Sequence, residues 1–85
     1  MQVDFSKSFC KDYKKAPKKI KETIKERLSL FKINKYEKIL NNHQLSGDLS
    51  FLRSINITGD WRALFVNNDD KATFIILDRH SNLYK

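Results

Sequence analysis

The sequence predicts an α+β fold in two layers, an N-terminal strand and two helices packed on an antiparallel sheet. The first observation is a helical period in the first half, where Ile20, Ile24, Leu28 and Phe31 recur at three- and four-residue steps. The second is a change to strand-like runs after Phe51, continuing through Trp61–Val66 and Ala72–Leu77. The third is the order itself: helices come first and strands afterwards, which favours segregated layers over alternating βαβ units.

Taken in order, Gln2 to Phe5 alternates polar and apolar residues and reads as a short edge strand. Ser6 or Ser8 then caps a helix carrying Phe9 and Tyr13 four residues apart. Pro17 interrupts that pattern and suits the first position of a second helix, antiparallel to the first. Residues 34–42 form a connector with one helical turn, ended by Asn41-Asn42, and His43 to Gly47 is a turn leading into the sheet. In the strand that follows, Phe51, Ile55 and Ile57 share one face, and Leu52, Ser54 and Asn56 share the other. Arg53 has the parity of the apolar face, so either it lies at the sheet margin or a bulge intervenes. Ile57-Thr58-Gly59-Asp60-Trp61-Arg62 holds the sole tryptophan and one of two glycines. It reads as a hairpin turn, with Gly59 free to take φ > 0. Asn67 to Asp70 is a second, polar turn, and Ala72 to Leu77 is a mostly apolar strand suited to the sheet interior.

Eighty-five residues are expected to make a single domain, 1–85, with room for one modest core. Cys10 has no partner for an internal disulfide and is read as a small buried apolar group on the first helix. There is no cysteine–histidine cluster with zinc spacing, so neither a metal nor another cofactor is expected. No apolar run is long enough to span a bilayer and the N-terminus lacks a signal-peptide pattern, so a cytoplasmic location is expected, with no membrane partner. The net charge of +7 is uneven: between Lys7 and Lys38 stand twelve Lys or Arg residues against four acids. Such a surplus attracts a polyanion or an acidic protein.

The groups able to do chemistry fall at strand ends and loops of the second half: His43, Asp60, Arg62, Arg79 and His80, with Trp61 and Tyr84 among them. Cleaving an RNA phosphodiester without a metal requires a base for the 2′-hydroxyl, an acid for the leaving 5′-oxygen and a cation for the phosphorane. Histidine titrates near neutrality, arginine matches phosphate oxygens, and aromatic faces stack on unpaired bases. Each type also has an ordinary structural use, in turns or in the core.

The ordered set His43-x-Leu45-x-Gly47, Arg53, Gly59-Asp60-Trp61 and His80-Ser81-x-Leu83-Tyr84 resembles the YafQ branch of the RelE/ParE superfamily of type II toxin–antitoxin toxins. The likeness is close from His43 to Lys85 and is one of pattern alone before it. The resemblance implies a ribosome-dependent endoribonuclease that cuts mRNA in the A site and so inhibits translation. It implies a cognate antitoxin as partner, with the toxin alone a monomer and the complex a hetero-oligomer. Carried over by position, His43, Asp60 and His80 take acid/base places, with His80 and Asp60 as the principal pair. Arg62 steadies the scissile phosphate, and Tyr84 orients the substrate. Arg53, Arg79, Asn56 and Trp61 complete the expected RNA-binding set. Two positions depart from the family pattern: Asn56 stands in place of a histidine and Ile76 in place of an arginine. The same fold is also compatible with a ParE-like gyrase inhibitor that performs no catalysis, with a plain basic RNA-binding module, or with a degenerate toxin that only binds its antitoxin.

Overall fold

A computed structural model describes residues 2–83. Strand β1 (Gln2–Phe5) leads into helix α1 (Lys7–Lys15) and helix α2 (Lys18–Ile33). A 3-10 turn (Lys38–Leu40), the short strand β2 (His43–Gln44) and a second 3-10 turn (Gly47–Leu49) follow. Strands β3 (Arg53–Asn56), β4 (Trp61–Asn68) and β5 (Lys71–Arg79) build the rest of the sheet, and a short helix α3 (His80–Leu83) closes the described chain.

The sheet order is β1-β5-β4-β3-β2. Strands β2 to β5 pair antiparallel, whereas β1 runs parallel to β5 with Phe5 opposite Phe74, so the sheet is mixed. The chain leaves β1 through both helices and returns to pair it only at the last strand. Ala72 to Leu77 therefore lies in the interior as expected, although β4 is the middle strand.

Alternation along the strands gives two faces. Ala63 and Phe65 of β4 and Ala72, Phe74 and Leu77 of β5 join Phe9, Ile24, Phe31 and Leu40 in the main core. The rings of Phe31, Phe65 and Phe74 meet pairwise at 5.0–5.2 Å between centroids, in tilted and edge-on arrangements. On the opposite face Leu45, Leu52 and Leu64 form a smaller cluster with Leu49, Ile75, Ile76 and Leu83, to which neither α1 nor α2 contributes. A register shift beside Leu64 and Phe65 lets Ile75 and Ile76 both turn to this face.

Several local expectations are corrected. Ser6, not Ser8, caps α1, its hydroxyl accepting the Phe9 N–H at 3.0 Å. Pro17 sits one position before α2 in extended conformation, and its carbonyl accepts the Lys21 N–H. Cys10 is exposed, because Phe9 occupies the buried stripe of α1 and the next residue is rotated by about 100°. Phe51 lies in the turn before β3 and is 65% exposed. His43 and Gln44 are paired strand and not turn, and β4 extends through Asn68 so that Asp69, at φ 49°, makes the reversal. Gly59 does not use a positive φ; the left-handed positions are Asn41, Gly47 and Asp69. The 57–61 hairpin is held instead by Thr58, whose hydroxyl accepts the N–H groups of Asp60 and Trp61.

Candidate active site

The sheet face that the helices leave open carries two cross-strand rows. One is His43, Ser54, Leu64 and Ile76, and the next is Asn56, Arg62 and Asp78. A cleft of about 450 Å³ opens here, and His43, Arg62 and His80 line it together with Asn41, Gln44 and Ser46. Residues from β2, β4 and the start of α3, as much as 37 positions apart in sequence, thus share one concave surface.

His43 is oriented by its own loop. Asn41 ends the 3-10 turn in left-handed conformation (φ 47°, ψ 51°), and its carbonyl lies 2.7 Å from His43 Nδ1. A carbonyl can only accept, so Nδ1 carries the proton in this contact and Nε2 of the neutral ring keeps its lone pair. His80, the first residue of α3, donates its backbone N–H to the Asp60 carbonyl, which anchors the helix start to the hairpin while the side chain lines the cleft.

Arg62 is tied to the same hairpin. Its Nη1 donates to the carbonyls of Thr58 at 2.8 Å and Gly59 at 2.9 Å. One nitrogen is thereby committed to position, and a guanidinium has further donors to offer.

Asp60 and Arg79 do not line the cleft; they bind each other, Arg79 Nε to Asp60 Oδ2 at 2.6 Å. The Arg79 hydrogen bond is the main cause that holds the Asp60 carboxyl below its ordinary value. Desolvation acts the other way and is outweighed, with the Arg79 charge and the backbone N–H groups of Ser81 and His80 adding to the lowering. A carboxylate held in this way is a poor proton donor and a weak base near neutrality. In this structure the Asp60 carboxylate is therefore paired with Arg79 beside the start of α3, outside the cleft that His43 and His80 line.

The other expected residues divide clearly. Trp61 packs against the main core on the helix side of the sheet, away from the cleft. Arg53 lies at the sheet margin and donates from Nε to Asn42 Oδ1 at 2.8 Å. Asn56 shares a cross-strand row with Arg62, and its Oδ1 is buried with no hydrogen-bond partner among the described residues, as is Ser54 Oγ. Tyr84 lies outside the described residues. Asn41, Asn42 and Thr58 also shape the surroundings of the cleft, and no catalytic motif marks them in the sequence. Asparagine favours left-handed positions, and a hydroxyl beside Gly-Asp is a turn cap. Among the described residues no group of three or more His, Cys, Asp or Glu side chains lies together as a metal-binding cluster, and no helix is long and apolar enough to cross a membrane.

No family model matches the sequence, and no curated protein matches it either. Solved structures do match. YafQ from E. coli strain BL21(DE3) superposes with a TM-score of 0.82 at 20% identity, covering 99% of this chain and 98% of its own. The chain has the YafQ fold. The YoeB/ParE toxin from Agrobacterium tumefaciens superposes at 0.75 and 19% identity over 94% of this chain and 99% of its own. The E. coli DinJ–YafQ toxin–antitoxin complex matches at 0.76 and 22% identity, over 99% and 97% of the respective chains. At such identities the likeness is one of architecture, and it extends over the N-terminal strand and helices, where the resemblance in sequence is one of pattern alone.

Proposed function

We propose that this chain is the toxin of a type II toxin–antitoxin pair and acts as a ribosome-dependent endoribonuclease on mRNA in the A site. The observation that carries the reading is one cleft lined by two histidines and by an arginine that the hairpin anchors. It is supported by a fold shared with YafQ and YoeB/ParE toxins.

In this reading His43 Nε2 removes the proton of the 2′-hydroxyl, and the oxygen attacks the adjacent phosphorus. The bond from phosphorus to the 5′-oxygen breaks, and His80, as imidazolium, delivers a proton to the departing oxygen. A 2′,3′-cyclic phosphate and a free 5′-hydroxyl result. Arg62 stabilises the charge that gathers on the phosphorane oxygens, with its guanidinium held in advance by Thr58 and Gly59. Asp60 and Arg79 serve the site indirectly by fixing the start of α3, which bears His80. The lysine-rich helices supply attraction for ribosomal RNA and for an acidic stretch of an antitoxin, a partner kind with a solved precedent in the DinJ–YafQ complex.

A second reading, a toxin that binds its antitoxin without cutting, is favoured by Ile76, which puts an apolar side chain in the same cross-strand row as His43. Expression of the wild type and of His80→Ala at equal level separates the readings. The enzymatic reading expects arrest of translation with mRNA cleavage in the wild type and neither in the variant. Harmless expression of the wild type supports the non-cutting reading, and DNA damage without translation arrest indicates a gyrase inhibitor.

A further inference from the structure

A hydrogen-bond network that begins at Arg53 lies beside the cleft and reaches the loop that carries His43. Arg53 stands opposite Gln44 at the β2–β3 margin and reaches past it to Asn42, with Nε 2.8 Å from Asn42 Oδ1 and Nη2 3.5 Å from the Asn42 carbonyl. The Asn42 amide in turn donates from Nδ2 to the Lys35 carbonyl at 2.9 Å. The side chain of Asn42 therefore bridges the connector after α2 and the margin of β3. Asn42 lies between the two residues whose relative placement fixes the histidine: Asn41, the left-handed residue that offers the carbonyl, and His43, whose Nδ1 binds it. A two-residue strand has few ladder bonds of its own with which to hold this geometry.

We infer that Arg53 is a positioning residue for His43: through Asn42 it fixes the Asn41 carbonyl and so holds the imidazole with Nδ1 protonated and Nε2 as the proton acceptor. This departs from a direct contact between Arg53 and RNA phosphate. A guanidinium whose Nε binds an asparagine oxygen at the sheet margin, and which does not line the cleft, is spent on the protein. The functional meaning rests on the base role proposed for His43, whereas the structural link does not.

The test is the tautomer of the His43 ring, read from nitrogen chemical shifts of the 15N-labelled protein at a pH where the ring is neutral. The wild type is expected to show Nδ1–H. Arg53→Ala and Asn42→Ala are each expected to shift the population toward Nε2–H, and the double variant to shift it no further, because both act on one path. Arg53→Lys, which keeps one donor for the 2.8 Å bond, is expected to restore the wild-type ring in large part. The Trp61 indole signal, from the far side of the sheet, reports whether each variant is folded. In cleavage assays on programmed ribosomes both alanine variants should lose kcat, by a part of the roughly 10²–10⁴-fold that a general base supplies, with KM held. An unchanged ring in folded Arg53→Ala and Asn42→Ala overturns the inference. A raised KM with a shallower salt dependence and an intact ring overturns it too, since that is how a lost phosphate contact behaves. Absence of cleavage in the wild type would instead sink the nuclease reading and leave the ring measurement to decide the structural link.

Discussion

A carboxyl held by Arg79 stabilises the fold only while it is ionised. The Asp60 pKa is lowered in the folded chain relative to an ordinary aspartate near 3.8. The contribution is therefore present above the unfolded value and is lost as pH falls through the lower, folded one. Urea midpoints of the wild type and Asp60→Asn should differ at pH 7, and the gap should close below about pH 4. The two glycines give a second residue-scale prediction. Gly59 has no positive φ, and a Cβ there meets no atom within 4 Å, so Gly59→Ala should leave the melting temperature nearly unchanged. Gly47 has equal space but a φ of 67°, so Gly47→Ala should cost roughly 1–2 kcal/mol in unfolding measurements. The hairpin shows where a residue-scale reading of sequence stops. Gly59 marked the turn correctly, but Thr58 does the holding, and residue type alone does not say which neighbour's hydroxyl points inward. The same is true of Asp60. Its acidity depends on Arg79, 19 residues away in sequence, and no spacing rule brings the two together.

At the scale of elements, the helices and long strands were legible because each has one clear period. Ile20, Ile24, Leu28 and Phe31 mark a stripe on α2, and two of them, Ile24 and Phe31, are fully buried. Strand β2 was not legible, since two residues cannot show alternation; it exists because Ser54 and Arg53 offer a partner edge. The parallel pairing of β1 with β5 was likewise hidden, because its register matches Phe5 to Phe74 across nearly the whole chain. Arg53 could be narrowed to a margin or a bulge, and its place as the first residue of β3, in unbroken register with β2 and β4, decides for the margin. Phe31 is the point at which α2 grips the sheet, with rings of Phe65 and Phe74 at 5.1 and 5.2 Å. Phe31→Ala should lower stability by roughly 3–5 kcal/mol, seen as a fall in urea midpoint with the m-value retained.

For the whole molecule, the sheet separates two tasks. Its helix side carries the main core and the lysine-rich α1 and α2, while its open side carries the cleft. His43 and His80 were both identifiable as candidate proton carriers from sequence, and the fold brings them to one cleft. Asp60, Arg79 and Trp61 were identifiable as special, but in the fold they lie outside the cleft, the first two paired with each other and Trp61 packed against the main core. Binding that draws on the +7 charge should weaken steeply with salt, with a shallower dependence when α2 lysines are neutralised, as read by ribosome co-sedimentation across a salt series. The central claim concerns the two histidines. Its most direct test is mRNA cleavage on programmed ribosomes by the purified wild type, His43→Ala and His80→Ala, each checked for folding. The account predicts cleavage by the wild type and a loss of roughly 10²–10⁴-fold in each variant. Cleavage by both variants at the wild-type rate would contradict it.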